Sequence, residues 1–96
     1  MKKYEIMFIV RADIEESIIK DTFKKFEGIL TDMKAKILNS KDMGQKKLAY
    51  EIKKVKNGHY YLFNVLAPID AIQEFNRKAL LDENVLRHLI IKMDEE

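Results

Sequence analysis

The chain has 96 residues, of which 47% are hydrophobic and 35% charged, enough for one domain with a modest core but not for two. It has no cysteine, which excludes disulfides and thiolate metal sites, and its net charge of only +2 excludes a protein that is basic throughout. No apolar run approaches the roughly 20 residues that span a bilayer. We therefore expect a cytoplasmic protein in which residues 1–96 form a single domain, with a short acidic tail at residues 94–96.

The N-terminal third predicts a strand followed by a helix. From Tyr4 to Val10 the residues alternate as in a strand, and because both alternating sets are mostly apolar we expect a central strand. Asp13 and Glu16 have the spacing of a capping box, which favours a helix start here. Apolar residues then recur at helical spacing. We predict a helix over residues 14–33.

The middle of the chain predicts a basic β-hairpin. Residues 39–44 are predicted to be irregular or bulged, and Gly44 is a candidate for an unusual backbone angle. Asn57-Gly58 lies between two runs of β-forming residues, and both residues tolerate the positive φ that a two-residue hairpin turn requires. The sequence therefore predicts the turn at Asn57-Gly58, with the third strand directly after it.

The C-terminal third predicts a second helix and a last strand. Pro68 is well placed before a helix, and Asp70 with Gln73 repeats the capping pattern. Residues 81–84 are the predicted turn after this helix. The apolar residues 85–93 then form the last strand.

The predicted order of elements is β-α-β-β-α-β, which has a preferred three-dimensional solution. Right-handed crossovers join the strands of each β-α-β unit, and the hairpin joins the two units. We predict an α+β, ferredoxin-like split β-α-β fold: a four-stranded antiparallel sheet of order 4-1-3-2, with two helices on one face. The second strand, which carries most of the lysines, is then an edge strand.

The lysines of the hairpin have two interpretations. Between Lys34 and Gly58 there are eight lysines against two acids, Asp42 and Glu51. Lysine on an edge strand prevents unwanted strand pairing. The same lysines could equally form a surface for an acidic partner. Both interpretations stay open at this stage.

Catalysis has no support in the sequence. The two histidines, His59 and His88, have no neighbouring acid at metal or triad spacing. Three scattered glycines form no phosphate-binding loop. We therefore predict that the protein is not an enzyme and has no catalytic residue, metal ligand, cofactor or small-molecule substrate.

Nucleic-acid binding is the more promising function. Residues 56–63 only loosely resemble the third-strand signature of an RNA recognition motif, whose aromatic residues stack on bases. A distributed surface of cations that contact phosphates is the stronger hypothesis. The alternatives are a module of the RNA-recognition-motif type and a ferredoxin-like oligomer that binds a small molecule. The candidate binding residues are Lys2, Lys3, Lys46, Lys47, Lys53, Lys54, Lys56 and Arg87.

A resemblance to a known family covers residues 1–93. Four motifs occur in order: MKKYE at residues 1–5, GQKKLAY at residues 44–50 with Ile52, Gly58 to Tyr60, and LDENVLR at residues 81–87 with Lys92. Together they resemble the bacterial small-subunit ribosomal protein six family. The resemblance implies the same ferredoxin-like fold. It also implies binding to the central domain of 16S ribosomal RNA, as a heterodimer with small-subunit ribosomal protein eighteen.

The resemblance also implies roles for particular residues. Lys2 and Lys3 match the basic N-terminus of the family, where arginine is common. Lys46 and Lys47 match its basic pair, and Arg87 matches the arginine after Asn-Val. We expect these residues to contact phosphate or to organise the interface with the partner. The candidate interface aromatics, which could instead serve only sheet packing, are Tyr50 and Tyr60.

Overall fold

The structure is a computed structural model that describes residues 1–93. Six elements follow one another in the order β-α-β-β-α-β: β1 (Lys2–Arg11), α1 (Glu16–Asp32), β2 (Lys36–Ile52), β3 (Val55–Ala67), α2 (Ile69–Leu81) and β4 (Val85–Met93). The predicted acidic tail, residues 94–96, lies outside the described residues. Within residues 1–93, neither helix is long and apolar enough to cross a membrane.

The four strands form one antiparallel sheet in the order β2-β3-β1-β4. This is the predicted 4-1-3-2 arrangement, with β1 inside the sheet and β2 at an edge. Both helices cover the same face, because their buried residues share one apolar cluster with alternate residues of β1 and β3. The α+β, ferredoxin-like prediction is therefore confirmed. On the other face of the sheet, which we call the open face, residues 1–93 place no helix.

Phe8 lies at the centre of the core between sheet and helices. Its ring is fully buried, and five other rings surround it with centroids 5.4 to 6.5 Å away. Offset and edge-on ring pairs at such distances add to the energy of burial. The five rings belong to Phe23, Phe26, Tyr61, Phe63 and Phe75.

The hairpin turn is at Lys53-Lys54, so the prediction of a turn at Asn57-Gly58 is wrong. Lys53 and Lys54 have φ values of 52° and 65°, and Ile52 pairs with Val55 across the two-residue turn. Lysine is poorly suited to this left-handed conformation, which Asn-Gly would adopt more easily. A contact with another part of the fold must therefore outweigh the local turn preference of Asn57-Gly58.

Tertiary packing on Gly58 explains the different turn. Gly58 lies inside β3, opposite Arg11 of β1 and Lys46 of β2. A Cβ atom at this position would overlap Cγ2 of Ile9 and lie 3.3 Å from Cδ2 of Leu48. Ile9 and Leu48 belong to a second small apolar cluster, completed by Val55 and Leu86 with Ile52 and Tyr60 against it. Glycine is needed here for close packing and not for a turn.

We expect Gly58→Ala to lower the free energy of unfolding by about 1–3 kcal/mol, the usual cost of overpacking. The β-branched Ile9 side chain is stiff and cannot swing aside cheaply. Urea unfolding followed by circular dichroism measures the loss. Gly28→Ala is the matched control, because no heavy atom lies within 4 Å of its added Cβ. Inside a helix, replacing glycine by alanine raises the free energy of unfolding by up to about 1 kcal/mol. A Gly58→Ala protein as stable as the wild type would contradict this account.

The start of α1 differs from the predicted capping box. The helix begins at Glu16, and Glu15 occupies the N-cap position without a side-chain hydrogen bond. Asp13 instead accepts two hydrogen bonds from the guanidinium of Arg11, at 2.6 and 2.9 Å. A hydrogen bond from a charged guanidinium is stronger than one from a backbone N–H, so the Asp13 carboxylate binds Arg11 and does not cap the helix. The helix therefore spans residues 16–32 and not 14–33.

The other helix ends follow the expected backbone rules only in part. At the end of α1, Lys34 has a φ of 67°, and the Ala35 N–H donates to the Leu30 carbonyl at 2.9 Å. This is a Schellman-type ending with lysine where glycine is usual. Pro68 precedes α2 as predicted, but Asp70 does not cap it, since Pro68 itself is the N-cap residue.

Candidate nucleic-acid interface

Two cations and two aromatic rings meet near the hairpin end of the open face. The Lys46 ammonium lies 5.6 Å from the ring centroid of Tyr60. The Arg87 guanidinium lies 5.9 Å from the ring centroid of Tyr50 and donates a hydrogen bond to its hydroxyl. Cations held over aromatic faces are attracted by the ring quadrupole. We call Lys46, Tyr50, Tyr60 and Arg87 the basic-aromatic cluster. None of the four is adjacent in sequence, and three strands bring them together.

A shallow groove begins at this cluster and runs between β1, β3 and β4. Its volume is about 440 Å³, and it is lined by Met7, Ile9, Tyr60, Arg87, His88 and Leu89. Most of these side chains are apolar, with Arg87 as the charged group. The groove can therefore hold an apolar group that carries or adjoins a negative charge.

Apolar residues continue the groove along β4. Leu89 is 51% exposed, Ile91 45% and Met93 37%. They pair with Met7, Glu5 and Lys3 of β1, which places all of them on the open face. A row of exposed large apolar side chains is typical of a protein-binding surface.

The remaining predicted cations are spread over several places. Lys47 directly follows Lys46 in β2 and therefore points to the opposite face of the strand. Lys53 donates from Nζ to the Val85 carbonyl at 3.3 Å, which ties the hairpin tip to β4. Lys54 and Lys56 line a separate depression of about 230 Å³ beside Asp13 and Asn57. The structure does not bring these lysines into the basic-aromatic cluster.

Lys2 and Lys3 are at the far end of β1 from the cluster. Arg11, which lies beside the Gly58–Lys46 pair, is eight residues from Lys3 along the strand. At 3.3 Å per residue the separation is about 26 Å. A single small ligand cannot contact both ends, but an extended partner can.

Two open-face lysines, Lys36 and Lys41, were missed as site candidates. Lys36 pairs with Leu66 and Lys41 with Leu62, and both lie on the same face as Lys46. Their recurrence every five residues was visible in the sequence. In a regular strand that spacing alternates faces, so it gave no signal until the bulges of β2 were known.

The predicted bulge in β2 is confirmed and contains a histidine–carboxylate pair. The register with β3 shifts between Asp42 and Gly44, where Gly44 has a φ of 80°. One carboxylate oxygen of Asp42 accepts from the Gly44 N–H at 2.9 Å and lies 2.6 Å from Nε2 of His59. The prediction that neither histidine has an acid neighbour is therefore wrong for His59, since the pairing joins residues 17 apart.

The histidines do not form a metal site. Nowhere in residues 1–93 do three or more His, Cys, Asp or Glu side chains gather in a way that could hold a metal ion. Nε2 of His88 lies 2.7 Å from the amide oxygen of Asn76, and burial lowers the pKa of His88. Both histidines thus have partners that explain their positions structurally.

We expect the charge of Asp42 to stabilise the fold at neutral pH but not in acid. Burial opposes ionisation, yet the Gly44 N–H and His59 together hold the pKa of Asp42 below its ordinary value. A lowered folded-state pKa contributes stability above the unfolded pKa of about 4, and the contribution disappears as the pH falls through the folded value. The Asp42 side chain is exposed, so the contribution is at most about 1 kcal/mol.

Urea unfolding of the wild type and Asp42→Asn at several pH values measures this contribution. Asparagine keeps an oxygen that can accept from the Gly44 N–H, so the variant removes only the charge. The wild type should be the more stable protein at pH 6, and the difference should shrink below pH 4. A difference that persists undiminished at pH 3 would contradict the assignment.

The aromatic residues of β3 mostly face the helices. Tyr61 and Phe63 are buried in the core, and burial raises the pKa of Tyr61 to about 12. Tyr60 is the β3 aromatic on the open face, opposite Ile9. An RNA recognition motif stacks bases on several aromatic side chains of its sheet. On β3 the open face of the sheet offers Tyr60 for this purpose, because Tyr61 and Phe63 are buried in the core.

Comparison with known proteins decides the family. The family model for ribosomal protein S6 matches residues 3–92. The chain belongs to the ribosomal protein S6 family. The crystal structure of 30S ribosomal protein S6 from Thermotoga maritima is similar to it with a TM-score of 0.90 and 26% sequence identity, covering 96% of this chain and 87% of that one. The resemblance inferred from the sequence motifs is thereby confirmed.

A more distant similarity concerns the fold alone. The P2 domain of the chemotaxis kinase CheA from Thermotoga maritima, solved with the response regulator CheY, matches with a TM-score of 0.65 and 11% identity. The match covers 96% of this chain and 98% of that one.

Membership of the ribosomal protein S6 family gives this chain a structural and not an enzymatic role in the small ribosomal subunit, in association with ribosomal RNA.

Proposed function

We propose that this protein binds the central domain of 16S ribosomal RNA as a heterodimer with small-subunit ribosomal protein eighteen. It does so in the cytoplasm, as a single domain that requires no cofactor and acts on no small-molecule substrate. The observation that carries the proposal is the open face of the sheet, where an apolar groove ends in the basic-aromatic cluster. One face thus offers two chemistries, one for a protein and one for RNA.

The apolar part of this face suits the protein partner. Leu89, Ile91 and Met93 are exposed side by side on β4, and Met7 lies beside Leu89 in the groove. Burying such side chains yields about 25 cal/mol for each Å² removed from water. RNA phosphates are polar and cannot bury these side chains favourably. We therefore assign the exposed apolar residues of β4 to the interface with the protein partner.

The cationic part suits RNA phosphates. Within residues 1–93, Lys46 and Arg87 form no ion pair with an acid of the chain. Arginine binds phosphate through a planar fork and lysine as a point charge. We assign phosphate contact to Lys46 and Arg87, with Tyr50 and Tyr60 holding the two cations. We assign additional contacts outside the cluster to the remaining predicted cations: Lys2, Lys3, Lys47, Lys53, Lys54 and Lys56.

The modest net charge favours shared binding. Affinity for RNA at physiological salt rises with the number of neutralised phosphates. A chain with a net charge of +2 and cations at several separate places makes a weak RNA binder on its own. A partner that occupies the groove and adds its own cations would complete the surface, which makes binding cooperative.

Binding to a central-domain 16S rRNA fragment, with and without protein eighteen and at several salt concentrations, tests the proposal. We expect tight, salt-dependent binding only when both proteins are present. Tight binding without the partner would favour the recognition-motif alternative. Absence of binding in both cases, with the protein folded, would overturn the assignment. A salt-insensitive symmetric dimer would favour the small-molecule-binding alternative.

A further inference from the structure

The edge strand β2 contains a regular row of lysines that its bulges align. Lys36, Lys41 and Lys46 recur every five residues, but their partners on β3 are Leu66, Leu62 and Gly58, four residues apart. One register shift lies in each interval, between Ile37 and Asn39 and between Asp42 and Gly44. Each bulge adds one residue to β2 and so restores the face that an odd spacing would lose. All three lysines therefore project from the open face.

The row is evenly spaced and exposed. Four residues of β3 separate neighbouring positions, so the intervals are about 13 Å and the row is about 26 Å long. All three lysines are exposed, and within residues 1–93 none of them forms an ion pair with an acid. Lys46, at one end, also belongs to the basic-aromatic cluster.

Protection of an edge strand explains some of these features but not the alignment. Bulges and lysines both discourage strand pairing at an edge, and a lysine on either face serves that purpose. Protection does not require the bulges to fall so that every fifth residue returns to one face. Alignment on one face is what a charged polymer that runs along the strand requires.

We propose that Lys36, Lys41 and Lys46 form a track for the RNA phosphate backbone along the edge of the open face. The inference rests on the proposed function and extends the RNA surface from the basic-aromatic cluster along β2. We assign RNA as the partner because a line of cations without ion-pair partners within residues 1–93 suits a polymer that carries negative charge along its whole length. Contacts of this kind position the backbone without reading its sequence.

The experiment uses the heterodimer with protein eighteen and the 16S rRNA fragment, and it measures the slope of log affinity against log salt concentration. Each neutralised phosphate contributes about 0.7 to 0.9 to this slope. We expect Lys36→Gln/Lys41→Gln to reduce the slope by about 1.4 to 1.8. The control Lys20→Gln/Lys24→Gln removes the same charge from exposed positions of α1 and should leave the slope unchanged.

A second variant separates position from charge. Lys41→Gln/Ser40→Lys keeps the net charge and a lysine on the same edge strand, but moves it to the other face, because Ser40 pairs with the buried Phe63. The single variant Lys41→Gln is measured beside it, and we expect both to reduce the slope by about 0.7 to 0.9, the contribution of one phosphate. Light scattering should show all variants monodisperse before RNA is added.

The outcomes separate this proposal from the function on which it rests. A wild-type heterodimer that does not bind the fragment overturns both. A wild-type heterodimer that binds while Lys36→Gln/Lys41→Gln keeps the full slope overturns the phosphate track alone. The track is also overturned if Lys41→Gln/Ser40→Lys behaves as the wild type, since charge and edge protection would then suffice.

Discussion

Phe8→Ala is expected to lower the free energy of unfolding by about 3–5 kcal/mol, the usual loss when a fully buried phenylalanine is truncated. Phe8 is fully buried. The centroid of its ring lies 5.6 Å from that of Phe63 in the sheet and 5.9 Å from that of Phe75 in α2, so it packs against both layers. Its removal leaves a cavity that rigid strands on either side of β1 cannot close. The total free energy of unfolding of a small domain is only about 5–15 kcal/mol, so this loss is a large part of it.

The neighbouring residue of β1 provides the control for this measurement. Met7 faces the open side of the sheet and is only partly buried. Urea unfolding followed by circular dichroism measures the free energy of unfolding of both variants, and Met7→Ala should lower it clearly less than Phe8→Ala does. Phe8→Leu, which fills part of the cavity, should fall between the wild type and Phe8→Ala. Equal losses for Met7→Ala and Phe8→Ala would contradict the assignment of Phe8 to the centre of the core.

The fold was largely predictable because its decisive signals are local. Alternation from Tyr4 to Val10 identified β1, and helical spacing identified α1 and α2 to within about two residues. Once the order of elements is known, the handedness of the crossovers leaves few arrangements. The sheet order and the edge position of β2 then follow without any long-range information in the sequence.

The errors share a different cause: in each case another contact of the same residue competes with its local backbone preference. Asn57-Gly58 has the better turn chemistry, but Gly58 is needed beneath Ile9, which is 49 positions earlier in the chain. Asp13 has the better capping chemistry, but the Arg11 fork holds it. In both cases a tertiary or charged contact outweighs a local preference of about 1 kcal/mol.

The candidate site was predictable as a set of residue types and not as a surface. The motif resemblance gave Lys46, Tyr50, Tyr60 and Arg87, which the structure brings together. It did not give Lys36 and Lys41, because their shared face depends on two bulges that only the pairing with β3 reveals. A one-residue shift in register moves a side chain to the other face, so surfaces on a bulged strand need the structure.

Lys46→Gln/Arg87→Gln is expected to weaken binding of the heterodimer to the 16S rRNA fragment by roughly a hundredfold. A charge-assisted contact contributes about 1.5 kcal/mol, so two lost contacts amount to about 3 kcal/mol, and each 1.4 kcal/mol is tenfold. The salt dependence should weaken in parallel, because two fewer phosphates are neutralised. Filter binding at several salt concentrations measures both quantities.

Three controls locate the cause of that loss. Lys20→Gln/Lys24→Gln changes the net charge equally on α1 and should bind as the wild type does. Tyr50→Phe keeps the ring but removes the hydroxyl that Arg87 bonds, so a smaller loss is expected if Tyr50 positions the guanidinium. Affinity for protein eighteen alone is the third measurement. If Lys46→Gln/Arg87→Gln lost the partner while keeping the salt dependence, these cations would belong to the protein interface, and the RNA surface would begin instead at the lysine row of β2.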